Sequence, residues 1–179
     1  RHEFPVTGNL IYLNHAAVAP LCRRAADAMK WLAEDGCLHG SLHYSPWEES
    51  YSDLRSLTAR MIHAEPGEIA IVKNTSEGIA TVALGLKWKA GDRIVAFREE
   101  FPANFYIWKK LEDWHGVKIE WLSYLDPLEM VEEAARGAKL LAISYVQYLS
   151  GFRADLEAIG DICRRHNVFF LVGRADGAG

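Results

Sequence analysis

The sequence predicts an α/β fold in which a mostly parallel sheet carries helices on both faces. From residue 69 onward, short apolar runs rich in β-branched residues alternate with amphipathic helical stretches. That alternation is the pattern of parallel strands joined by helical crossovers. The apolar runs end in polar loops, and in such sheets ligands collect beyond the carboxyl ends of the strands. With 179 residues, 50% of them hydrophobic, the chain can bury one core, or form one large domain with a short appendage.

Pro20 opens a helical pattern with Ala25, Ala28, Met29 and Leu32 at helix spacing, stopped near Gly36. Residues 37–44 have no clean period and are read as a loop. Ser45-Pro46 starts a second helix, with Trp47, Tyr51, Leu54, Leu57 and Met61 on one face. A first strand is expected over residues 69–72 (Ile-Ala-Ile-Val), followed by a helix over 77–86. Ala90-Gly91-Asp92 turns into a strand over 93–97, and a helix over 103–114 leads to a strand over 117–122. Asp126-Pro127 begins a helix over 127–136. A strand over 139–146, a helix over 154–166 and a last strand over 168–172 complete the series. These elements divide into an N-terminal arm and helical segment, 1–66, and an α/β part, 67–179.

Composition narrows the function classes. A formal net charge of -4 with interspersed signs gives no electrostatic case for nucleic acid and suits a soluble enzyme. No stretch has the apolar length of a membrane span, and the first residues do not form a signal peptide. Cys22, Cys37 and Cys163 are odd in number and far apart, so a reducing, cytoplasmic location is expected, with no disulfide framework and no metal site. His39 and His43 have i, i+4 spacing, yet no third ligand accompanies them.

The strand-end loops carry the candidate chemistry. In Lys73-Asn74-Thr75-Ser76-Glu77-Gly78, clustered hydroxyls stand before an apolar helix. The run is either an N-cap or a phosphate seat, where free N–H groups and the helix dipole favour an anion. Phe101, in Glu100-Phe101-Pro102-Ala103-Asn104, either stacks on a flat ring or packs locally. Gln147 either bonds a ligand through its amide or is a hydrated loop residue, and Arg153 either binds an anion or pairs near the next helix. Asp176 is the one carboxylate after residues 168–172: buried beside a pyridine nitrogen it would keep that nitrogen protonated, whereas exposed it only solvates the chain. His15, beside Asn14, either reaches a site from the N-terminal arm or is a polar turn residue.

Taken in order, four segments resemble the class V aminotransferase family of fold-type I pyridoxal-phosphate (PLP) enzymes, which includes cysteine desulfurases, kynureninases and isopenicillin-N epimerase-like proteins. They are Tyr12-Leu13-Asn14-His15-Ala16-Ala17-Val18-Ala19-Pro20, Asn74-Thr75-Ser76-Glu77-Gly78, Glu100-Phe101-Pro102-Ala103-Asn104 with Trp108, and Ser144-Tyr145-Val146-Gln147-Tyr148-Leu149-Ser150-Gly151-Phe152-Arg153. The last two resemble the epimerase and kynureninase side more than the desulfurases. The resemblance implies an incomplete large domain of a fold-type I PLP enzyme, acting on an amino acid as a homodimer. It gives Thr75 and Ser76 the cofactor phosphate, Phe101 the face of the pyridine ring and Gln147 the ring's hydroxyl side. It places Asn14 and His15 toward substrate.

Two departures accompany the resemblance. Where the family has an Asp after the strand ending at Val172, this chain has Gly173, and Asp176 falls at the position of the family's Gln or His. The family's Schiff-base lysine is expected beyond Gly179, and no catalytic residue is assigned within the chain. The expectation is an N-terminal portion of a PLP enzyme (transaminase, lyase or epimerase type), inactive as it stands. The alternative is a non-catalytic protein that keeps the fold for binding or oligomerisation.

Overall fold

The computed structural model describes residues 2–15 and 17–174. They cluster into two compact units, one within Arg1–Ile71 and the other Val72–Arg174.

The first unit holds two helices, α1 (Arg23–His39) and α2 (Tyr44–Ile62), followed by a 3-10 turn over Pro66–Glu68. Helix α1 runs past Gly36, where a stop was expected. A Cβ at Gly36 would meet the Trp47 ring of α2 at an ordinary contact distance of 3.9 Å, and a single glycine inside a helix costs only about 1 kcal/mol relative to Ala. The helix ends instead at Gly40, whose φ of 59° suits a residue without a Cβ. Half of the expected loop over 37–44 is thereby absorbed into α1 and the start of α2, and residues 40–43 form a turn between them. Asp35, buried in α1, accepts a hydrogen bond from His43 Nδ1 at 2.7 Å, a link that ties the helix pair together. The expected strand over 69–72 does not form a ladder. Ile69 is extended (φ -98°, ψ 118°), but no strand among the described residues pairs with this segment. A strand needs a hydrogen-bonded neighbour as well as β-branched side chains.

The second unit is the α/β layer. Its order is α3 (Thr75–Gly85), β1 (Arg93–Phe97), α4 (Tyr106–His115), β2 (Lys118–Leu122), α5 (Leu128–Ala135), β3 (Leu140–Ser144), α6 (Leu156–His166) and β4 (Phe169–Gly173). The four strands form a parallel sheet in the order β2-β1-β3-β4. Strand β1 therefore lies between its sequence neighbour β2 and the later β3, as a crossover connection requires.

Alternating side chains build a core on each face. Ile94, Ala96, Leu140 and Ala142 face Ile79 and Ala83 of α3 and Trp108 and Leu111 of α4. Val95, Phe97, Leu141 and Ile143 face Val131 and Ala134 of α5 and Ile159 and Ile162 of α6. Helices thus cover both faces, and full burial of Leu111 or Ile94 contributes about 1.5–3 kcal/mol each. The expected helix over 103–114 splits at Phe105 (φ -122°, ψ -58°) into a 3-10 turn, Pro102–Asn104, and α4. Beyond β3, the chain continues into an isolated antiparallel bridge between Val146 and Arg153 rather than a longer strand.

Candidate cofactor site

Helix α3 opens at the edge of the second unit with a cap made by Asn74, not by the hydroxyl residues after it. Asn74 Oδ1 accepts from the Glu77 N–H at 2.9 Å, and Glu77 Oε2 accepts from the Lys73 N–H at 2.6 Å. The cap reading is correct for Asn74 and Glu77. Thr75 and Ser76 occupy the first turn, exposed, where their N–H groups have no acceptor one turn earlier. Among the described residues, two backbone donors and two hydroxyls therefore remain open at the positive end of the helix dipole, a donor set that suits a phosphate.

At the carboxyl ends of β1, β2 and β3, hydrogen bonds accepted by two adjacent glutamates join three loops. Glu99 accepts from Ser123 Oγ at 2.8 Å and the Tyr124 N–H at 3.3 Å. Glu100 is only 6% exposed. Its Oε1 accepts from the Tyr124 hydroxyl at 2.6 Å and the Ser144 N–H at 2.5 Å, and its Oε2 accepts from Ser144 Oγ at 2.6 Å. A carboxylate with this many donors is compensated for its burial. Burial, followed by the bond to Glu100, pushes the Tyr124 hydroxyl well above the usual phenol range, so it stays a proton donor.

Gln147 is buried, and its amide is engaged within the protein. Nε2 donates to the Glu99 carbonyl at 2.7 Å, while Oε1 accepts from the Leu149 and Ser150 N–H groups and from Ser150 Oγ. This staple holds the loop after β3 against the loop after β1. Phe101 and Tyr148 then meet edge to face, ring centroids 5.4 Å apart. Phe101 is 53% exposed, available to cover a flat ligand. Arg153 lies over the Tyr145 ring at 5.6 Å, and Arg174 lies over the same ring at 5.0 Å.

Gly173 ends β4 opposite Ser144, and the Tyr145 N–H donates to its carbonyl at 2.8 Å. A Cβ built on Gly173 would lie 3.3 Å from Ser144 Oγ, tighter than ordinary contact. Asp176 lies outside the described residues. Asn14 and His15 belong to the first unit, both exposed, with His15 edge-on to Tyr12 at 5.3 Å. Among the described residues, no three His, Cys, Asp or Glu side chains are grouped to hold a metal. The sequence reading did not single out Glu99, Glu100, Tyr124 or Ser144. The available signal was a pair of acidic residues directly after an apolar strand, where a buried carboxylate demands donors from neighbouring strand ends.

The aminotransferase class-V family profile matches residues 11–179. The chain belongs to the class-V aminotransferase family. A probable cysteine desulfurase from Pyrococcus abyssi (strain GE5 / Orsay) is 31% identical over 189 residues, covering 100% of this chain but 47% of its own length. The apo structure of a cysteine desulfurase from Thermococcus onnurineus NA1 superposes with a TM-score of 0.83 at 28% identity, covering 95% of this chain and 45% of that one. A C-DES mutant with glycine covalently linked to its PLP cofactor shares the fold, with a TM-score of 0.86 at 23% identity over 99% of this chain and 50% of that one. The chain spans about half the length of the curated relatives it matches. The relatives it matches include cysteine desulfurases, whereas the segments around Phe101 and Gln147 were expected to point to the epimerase and kynureninase side. Among the described residues, no helix is long and apolar enough to cross a membrane.

Proposed function

We propose that this chain is the N-terminal portion of a PLP-dependent, cysteine desulfurase-like enzyme that acts on an amino acid as a cytoplasmic homodimer. Turnover is proposed for the whole protein and not for these 179 residues alone. Residues 1–66 form its arm and helical segment, and residues 67–179 part of its cofactor-binding domain. The observation that carries the reading is the open donor set of Thr75 and Ser76 at the start of α3, in a chain of the class-V family.

When bound, PLP supplies an electron sink for the substrate's reacting carbon. Thr75 and Ser76 hold the phosphate through N–H and hydroxyl donors. Phe101 covers one face of the ring, and Gln147 fixes the loop on its hydroxyl side. Asn14 and His15 approach the amino-acid substrate, and Asp176 serves the ring side of the site.

The test is a titration of the purified chain with PLP, with inorganic phosphate as competitor. Replacing both Thr75→Val and Ser76→Ala weakens binding by about tenfold or more, the loss of one or two good hydrogen bonds to a charged group. Phosphate-insensitive binding, or binding unchanged in the double variant, would remove the reading. Gly173, at the position of the family's Asp, favours a second reading as a non-catalytic binding or oligomerisation protein. The whole protein decides between the two: release of sulfur from cysteine supports the first, and PLP binding without any turnover of amino acids supports the second.

A further inference from the structure

Gly173 removes the carboxylate that the family resemblance places beside the pyridine nitrogen, yet the same edge of the sheet holds another carboxylate in reserve. Ser144 and Gly173 are register partners at the ends of β3 and β4. By strand alternation from Leu140, Ala142 and Leu171, both lie on the sheet face covered by α3 and α4. Helix α3 is the element that carries the open phosphate donors, so the two features belong to one side of one unit. Ser144 Oγ flanks the space a side chain at residue 173 would enter, 3.3 Å from the position of its Cβ.

The direction of the Ser144 hydroxyl bond is fixed by its partner. Glu100 is buried and accepts at Oε2 from Ser144 Oγ at 2.6 Å, while Oε1 is occupied by the Tyr124 hydroxyl and the Ser144 N–H. The serine proton therefore points to Glu100, and the oxygen's lone pairs remain for a donor from outside. A hydroxyl whose proton is drawn toward a buried carboxylate is a stronger acceptor than a free one.

We infer that Ser144, polarised by Glu100, takes the place of the absent aspartate and accepts a hydrogen bond from the protonated pyridine nitrogen of the cofactor. This rests on the cofactor reading above. Ser144 is the residue that touches the ring, and Glu100 is a positioning residue acting through it. Asp176 lies outside the described residues; among the described residues, the ionisable groups along this edge have partners of their own. Glu99 takes Ser123 and the Tyr124 N–H, Tyr145 lies under Arg153 and Arg174, and at the start of α3 Glu77 caps the Lys73 N–H.

The experiment follows the ring nitrogen itself in the 179-residue chain. Pyridoxine 5'-phosphate labelled with ¹⁵N in the ring keeps the phosphate and the nitrogen but has no aldehyde to react with surface lysines. Its bound ¹⁵N shift is titrated with pH, and inorganic phosphate competition is measured in parallel. In Ser144→Ala the nitrogen is expected to lose its proton about one pH unit lower than in the unchanged chain, the worth of one charge-assisted hydrogen bond. Phosphate competition stays unchanged. Glu100→Gln lowers the value by less, Ser144→Thr restores it, and Ser144→Ala combined with Gly173→Asp recovers it through a direct carboxylate. A nitrogen that titrates identically in the unchanged chain, Ser144→Ala and Glu100→Gln overturns the inference and leaves the cofactor reading standing. Absence of any phosphate-competed binding overturns both.

Discussion

Asn74 and its two neighbours show how one short run can serve two purposes at the residue scale. Asn74 and Glu77 close the helix start, which leaves Thr75 and Ser76 open. Asn74→Ala is expected to lower stability by about 1 kcal/mol in urea unfolding, the usual worth of an N-cap. Changing the exposed Thr75 and Ser76 moves stability by less than about 0.5 kcal/mol, so binding and folding can be separated at adjacent positions. Glu100 behaves differently, because its removal takes a carboxylate acceptor from three donors in a buried setting. Glu100→Ala is expected to cost about 3 kcal/mol in the same measurement. The hydroxyl run was legible in the sequence because capping and phosphate binding both leave residue-type signatures. Glu100 was not, because its partners Tyr124 and Ser144 are brought to it by the sheet from distant positions.

Among the elements, β1 matches its sequence-derived bounds, residues 93–97, because a turn at Gly91 and a charged loop frame an apolar run. The unpaired segment 69–72 shows what such a pattern leaves out. β-Branching records the preference for an extended chain but not whether a neighbour exists to accept its hydrogen bonds. Helix α1 overran Gly36 because one helical glycine costs only about 1 kcal/mol, and the positive φ that ends the helix falls at Gly40 instead. The strand entries are also tied electrostatically. Asp92, just before β1, is bonded to Lys139, just before β3, at 2.7 Å. That bond, joined by one from the Lys89 N–H, holds the Asp92 carboxyl below its ordinary value. A lowered folded-state value means the stabilisation is complete above the ordinary carboxylate range and lost as pH falls through the folded-state value. Thermal midpoints of the unchanged chain and Asp92→Asn should therefore differ at neutral pH and converge as the solution is acidified below that range.

For the molecule as a whole, the α/β class and the helices on both faces were readable from alternation, but the order β2-β1-β3-β4 was not. Order depends on which strand slots beside β1, a competition among similar apolar runs that periodicity does not rank. Helix α2 keeps Tyr51, Leu54, Leu57 and Met61 exposed, a face too apolar for a comfortable monomer. Sedimentation equilibrium is expected to show species heavier than the 20.1 kDa chain, and Leu54→Glu with Leu57→Glu to return the mass toward that value. The glutamate doublet and Gln147 have a thermodynamic consequence of their own. They order the loops after β1, β2 and β3 by hydrogen bonds inside the chain, so the entropy of fixing those loops is spent during folding. Calorimetry of ligand binding should then register a small heat-capacity change with little dependence on loop ordering, the signature of a site assembled before its guest arrives.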